Sequence, residues 1–149
     1  SSDVCSSDLL ARAQFFDRKG EYRKALPDYN QYDSLTHTVD PTFFYARYKC
    51  ETKLRMWQQA LLDIARTCYL APKEPTYFAE WASLDLRVKR IDEGISAAKA
   101  CINLAPEYAD GYLLLGLLQR EKGLKQESIE NLKKAQELGD TRAEEYLKQ

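Results

Sequence analysis

His37 stands in a turn region ahead of Pro41, and no second histidine occurs in the 149 residues, so neither a Ser/His/Asp nor a Cys/His pair can be assembled. A lone loop histidine reads as a solvated side chain. The cysteines, at 5, 50, 68 and 101, lack CxxC spacing, which argues against a zinc knuckle. With Cys5 set aside for a reason given below, an odd number remains, which argues against a disulfide framework. Cys50 and Cys101 fall on apolar stripes and are expected to pack as small hydrophobes. Cys68 is expected to be partly exposed and is the candidate reactive thiol, although nothing beside it would lower its pKa. Asp85, Asp92 and Glu93 read as carboxylates on solvated helix faces and helix starts. The glycines mark helix ends and crossings rather than a phosphate-binding loop. The expectation is no catalytic residue, no cofactor and no metal site: the chain reads as a non-enzyme.

Charge points the same way. Lys and Arg number 22 against 23 Asp and Glu, a net charge of −1 that argues against nucleic acid or a basic membrane-facing surface. No apolar run approaches the roughly 18 residues of a membrane span, so no membrane insertion is expected of this segment. At 44% hydrophobic and 30% charged, the chain can bury a core. Cytoplasm and periplasm both stay open, and so does the oligomeric state.

The elements that place these side chains recur. Leu35, Leu70, Leu104 and Leu138 fall at intervals of about 34 residues. Ala25, Ala60, Gly94 and Ser128 recur in step, each followed by an aliphatic residue (Leu26, Leu61, Ile95, Ile129). Phe44, Phe78 and Tyr112 form another set, and Tyr29, Ile64, Ala98 and Leu132 a further one. Each unit reads as two amphipathic helices joined by a tight turn, predicted at 7–19, 21–35, 41–54, 57–71, 75–88, 91–104, 109–122 and 125–138, with a short helix after Asp140. Gly116 and Ser128 are small where two helices must cross closely. Leu70, Leu104, Ala60, Ile95, Trp57 and Tyr112 are the expected core. One hairpin cannot bury its apolar face alone, whereas stacked hairpins share a core.

This pattern resembles the tetratricopeptide repeat (TPR) family, through Gly20, Tyr22 and Ala25 in the first unit and Phe44, Trp57, Ala60 and Pro72 in the second. Phe78, Ala82, Ile91, Gly94 and Pro106 carry it in the third, and Tyr112, Gly116, Gly123 and Ala135 in the fourth. The resemblance implies an all-α, right-handed α-solenoid of about four helical hairpins with a short C-terminal capping helix. The array would span residues 10–142 in units of about 6–40, 41–74, 75–108 and 109–142, with 143–149 starting the cap. Three departures stand out. Tyr48 replaces the usual Gly or Ala and should splay the first two units; Lys125 replaces an aromatic, with Leu124 expected to fill the gap; and Pro27, inside a helix, should kink it.

In that family the first helices line a concave groove that holds a peptide or protein segment. Carried over by motif position, the groove would contain Tyr45, Lys49, Thr52 and Lys53, then Thr76, Ala79, Ser83, Leu86 and Arg87. Leu113, Leu117, Arg120 and Glu121 would continue it, and Gln14, Asp17 and Arg18 begin it. Lys49, Lys53 and Arg87 make its middle basic and suit an acidic partner segment. The subclass that clamps two carboxylates of chaperone tails uses asparagines where this chain has Gln14, Ala46 and Lys49, so that activity is not expected. The implied function is a non-catalytic protein-interaction scaffold. The alternatives are a docking or sensor arm of a larger enzyme or signalling protein whose active domain lies upstream, and a self-assembling structural repeat. Runs such as YADGYLLLGLLQREKG resemble repeat proteins of the Bacteroidetes group.

The opening SSDVCSSDL stands apart from all this. Back-translated as AGT TCA GAC GTG TGC TCT TCC GAT CT, it resembles a short-read sequencing adapter. On that reading residues 1–9 are foreign, Leu10 is the first native residue, and any leader, anchor or preceding domain is missing. Ser1–Val4 should then pack against nothing, and helix should begin near Ser6 to Asp8.

Overall fold

Short-range signals decide where the helices stop. Gly20, Arg55, Lys89 and Gly123 all adopt left-handed backbone (φ 75°, 58°, 66° and 88°) and end the first helix of each hairpin. The N–H of the next residue then donates back to a carbonyl five residues earlier: Glu21 to Phe16 (2.9 Å), Met56 to Glu51 (2.9 Å), Arg90 to Asp85 (2.8 Å) and Leu124 to Gln119 (2.9 Å). This is one helix-ending motif used at every hairpin, and it satisfies carbonyls the helix leaves open. Starts are less uniform. Asp40 caps the third helix by accepting from the Thr42 N–H at 2.9 Å, and Pro41 and Pro75 occupy first-turn positions where a missing N–H costs nothing.

The computed structural model describes residues 4–149. Among them every regular element is a helix: α1 (Ser6–Arg18), α2 (Tyr22–Thr36), α3 (Pro41–Lys53), α4 (Trp57–Leu70), α5 (Pro75–Arg87), α6 (Ile91–Leu104), α7 (Ala109–Lys122), α8 (Lys125–Glu137) and α9 (Arg142–Leu147). No predicted bound of the first eight moves by more than one residue. The expectation for Ser1–Val4 falls largely on residues outside those described; helix begins at Ser6, and Cys5 is exposed.

The chain forms two compact units, Ser1–Leu70 and Ala71–Gln149. In the first, α1 pairs with α2 and α3 with α4, around Ala13, Ala25, Leu26, Tyr29, Phe43, Phe44 and Cys50. In the second, α5 pairs with α6 and α7 with α8, and α9 packs on α8. Ala82, Ala97, Ala98, Leu115 and Leu118 form one cluster there, and Leu113, Leu132, Ala135 and Ala143 another. The α7–α8 crossing is as close as the small residues imply. A Cβ on Gly116 would lie 2.9 Å from Leu132 and 3.1 Å from the Ser128 carbonyl, and the Ser128 hydroxyl donates to the Gly116 carbonyl at 2.7 Å.

Several expected core positions differ. Ala60 is fully buried, but Leu104 is 39% exposed. Leu70, Trp57, Ile95 and Tyr112 are half-buried. The leucines that mark the repeat sit at the last turns of second helices, where only part of a side chain reaches the hairpin interior. Leu124 is left 37% exposed. Pro27 lies exposed within α2, which continues unbroken to Thr36. Tyr48 is buried, its ring stacked on Tyr45 at 5.8 Å.

Candidate functional site: the exposed stripe of the first helices

In α3, Tyr45, Lys49, Thr52 and Lys53 recur at helical spacing and share one face. Lys49 and Lys53 are exposed and Tyr45 and Thr52 half-buried. The Lys49 ammonium lies 4.9 Å above the Tyr45 ring, a cation–π contact. The Thr52 hydroxyl donates to the Lys49 carbonyl at 2.8 Å, which occupies it locally. Neither lysine makes an ion pair with any described residue. On α5, Ser83 and Arg87 are exposed, and Leu86 is half-buried against the Ala82 cluster.

The remaining sequence-derived positions need correction. Ala79 and Leu113 are buried, so neither can touch a ligand. Leu113 and Leu117 pack beneath α9 with Ala143, Tyr146 and Leu147. The Arg120 guanidinium lies 5.0 Å from the Tyr146 ring and donates to the Tyr146 carbonyl at 3.3 Å, so α9 already holds it. Asp17 accepts from the Tyr29 hydroxyl at 2.8 Å, and Glu121 pairs with Lys89 at 3.2 Å.

The groups that could do chemistry are mostly locked away. Cys68 is buried, not partly exposed, and burial lifts its pKa to about 12, so it is no reactive thiol. Burial lifts Cys50 to about 12 and Cys101 to about 11. His37 is exposed at the left-handed end of α2 (φ 50°). It borders a recess with Val39, Arg66 and Tyr69. Among the described residues no three His, Cys, Asp or Glu side chains are placed to hold a metal ion.

Sequence reasoning missed two buried charge sites. In the first unit, Arg47 is buried and donates to Asp63 through Nε (2.7 Å) and Nη2 (3.0 Å), while Nη1 meets Asp33 at 2.9 Å. Glu51 lies 3.8 Å from the same guanidinium, one of its oxygens without a partner. Burial first, and the Asp63 charge second, hold its pKa well above the usual carboxylate range. In the second unit Asp85, read as solvated, is 0% exposed. Its nearest cation is Arg90, whose Nε stands 3.3 Å from Oδ1 without an aligned hydrogen bond. Burial raises its pKa to about 6 against the pull of Arg90. A signal was present. Arg12 and Arg47, and Asp28 and Asp63, are each 35 residues apart, and Arg12 grips Asp28 (2.7 and 2.9 Å) as Arg47 grips Asp63.

Neither a family model nor a curated protein matches this sequence. Solved structures do. YrrB, described as a TPR protein with an unusual peptide-binding site, superposes with TM-score 0.88 at 18% identity, over 97% of this chain and 74% of that one. MamA from Desulfovibrio magneticus RS-1 gives 0.85 at 21% identity, over 95% and 81%. MamA AMB-1 gives 0.85 at 13%, over 93% and 75%. At these identities the likeness establishes the fold, the tetratricopeptide helical hairpin array.

Proposed function

We propose that the chain is a non-catalytic docking module that holds a segment of another protein against α3, the first helix of a hairpin. The observation that carries this reading is the α3 stripe. Lys49 and Lys53 present two exposed ammonium groups one turn apart, with no carboxylate partner among the described residues and an aromatic ring beside them. Like charges so placed repel, and an anionic segment relieves that repulsion. An acidic partner therefore suits the stripe, with Tyr45 offering its ring to apolar parts of the same segment. The description of YrrB as peptide-binding supports the same use of the fold.

The test is an immobilised set of acidic peptides probed with the full chain and with its lysine-to-glutamate variant (Lys49→Glu with Lys53→Glu). The expected result is that the double variant loses retention by about tenfold or more, with helicity and melting unchanged. Salt at about 0.5 M should weaken the wild type as well. Retention that survives both treatments overturns the reading.

A further inference from the structure

The second unit carries a recess of about 330 Å³ between α5 and α6, walled by Phe78, Trp81, Ala97 and Ala100, with Glu93 and Ser96 as its polar members. The Phe78 and Trp81 rings form one aromatic wall, with centroids 6.5 Å apart and planes inclined by 28°. Local ion pairs leave Glu93 as the acid least engaged. Asp92 pairs with Lys122 at 2.7 Å and Glu121 with Lys89 at 3.2 Å. Arg90 directs Nε to Asp85 at 3.3 Å and reaches Glu93 only at 3.9 Å. An apolar, aromatic slot with one loosely held carboxylate at its edge suits a side chain that is hydrocarbon along its stem and cationic at its tip.

We propose that this recess seats an arginine side chain of a partner polypeptide. Its methylenes would lie on Ala97 and Ala100, its planar guanidinium on the Trp81 face, and its N–H groups would donate to Glu93. Ser96 Oγ, which donates to the Asp92 carbonyl at 3.3 Å, keeps acceptor capacity for a further N–H. This goes beyond the docking function argued above: it concerns another surface and ligand charge of opposite sign. Loss of acidic-peptide binding at Lys49 and Lys53 would not touch it.

The experiment titrates the ¹⁵N-labelled full chain with the peptide Ac-Ala-Ala-Arg-Ala-Ala-NH2, following the Trp81 indole N–H and the Glu93 and Ser96 amides. Controls are the same peptide with citrulline, which keeps the shape and removes the charge, and with glutamate. Saturable shifts confined to these signals are expected for arginine, with citrulline at least about tenfold weaker and glutamate silent. Glu93→Gln should weaken the arginine peptide by about the same factor, and Ser96→Phe, an exposed position that would fill the slot, should abolish the shifts. Helicity and melting of both variants are checked alongside. Equal shifts from arginine and citrulline, indifference to Glu93→Gln, or no shift at any peptide concentration each overturn the proposal.

Discussion

The two units bury a carboxylate at the same place in the hairpin, Glu51 in α3 and Asp85 in α5, 34 residues apart, and they handle it differently. Beside Glu51 lies Arg47, itself buried, which already answers Asp63 and Asp33. One cation cannot neutralise three acids in a space with little water, so Glu51 keeps its proton and the cluster holds together. One repeat on, Trp81 stands where Arg47 was and Ala97 where Asp63 was. Asp85 is left with an arginine half in solvent, and neither of its oxygens is hydrogen-bonded. In α7 the same position is Gln119, whose oxygen accepts from Asn131 at 2.7 Å and which carries no charge to place. Polarity at this site is therefore tolerated by protonation, by a half-exposed counterion, or by an amide. The second of these leaves both carboxylate oxygens without a hydrogen bond.

The largest effect should come from removing the cation of the first unit. Arg47→Met leaves Asp63 buried without its partner, and a loss of about 3–5 kcal/mol in urea unfolding is expected. Adding Asp63→Leu should recover most of it, because a buried pair replaced by apolar groups is close to neutral. A single variant that costs less than about 1 kcal/mol would mean the cluster contributes little. The comparable experiment in the second unit is packing, not charge. Leu118 is wholly buried, so Leu118→Ala should cost about 2–5 kcal/mol, whereas Leu104→Ala, at a half-open helix end, should cost under about 1 kcal/mol.

Asp85 should reveal itself through pH. Its folded pKa of about 6 lies some two units above that of an unfolded aspartate, so between about pH 4 and 6 the folded state binds more protons. Stability contributed by the neutral carboxyl is present at low pH and is lost as pH rises through the folded value. Two units correspond to a penalty on the order of 3 kcal/mol at neutral pH, reduced by any relaxation toward Arg90. Asp85→Asn should flatten the decline between pH 4 and 7 and raise stability at pH 7 by about 1–2 kcal/mol, an unpaired buried amide taking back part of the gain. An unchanged pH profile would show that water reaches Asp85 in solution.

How much of this was legible follows from the kind of signal each feature emits. The helices and their bounds were readable because Gly20, Gly123 and Pro41 punctuate locally and the apolar period repeats. Arg55 and Lys89 do the same turn-making work without glycine, and only the period locates them. Leu104 misled because a repeat position conserves a place on the hairpin, not a depth within it. Asp85 misled because an aspartate late in a helix is ordinarily solvated, and its burial depends on α6 and α7. A Cβ on Gly94 would come within 3.0 Å of Asp85 and 2.7 Å of Leu118, so the glycine lets these groups close over the carboxyl. Of the groove positions, Lys49 and Lys53 were legible as an exposed stripe. Ala79 and Leu113 were not, because motif numbering fixes direction but not what covers a residue.

The smallest effect concerns the turns. Arg55 ends α3 with φ 58° and Gly20 ends α1 with φ 75°, two residues doing one job in the same unit. A side chain in left-handed backbone costs about 1–2 kcal/mol through Cβ crowding, which glycine avoids. Glycine also loses more chain freedom on folding, about 0.4–1 kcal/mol. The two terms nearly offset, so Arg55→Gly should stabilise the chain by only about 0.5 kcal/mol, read as a small upward shift in urea midpoint with unchanged slope. The reciprocal change Gly20→Ala should cost about the same. Nothing lies within 4 Å of a Cβ built there, so the loss would come from backbone geometry alone. A Gly20→Ala cost above about 2 kcal/mol would show that the α1–α2 turn is held to narrower limits than the α3–α4 turn.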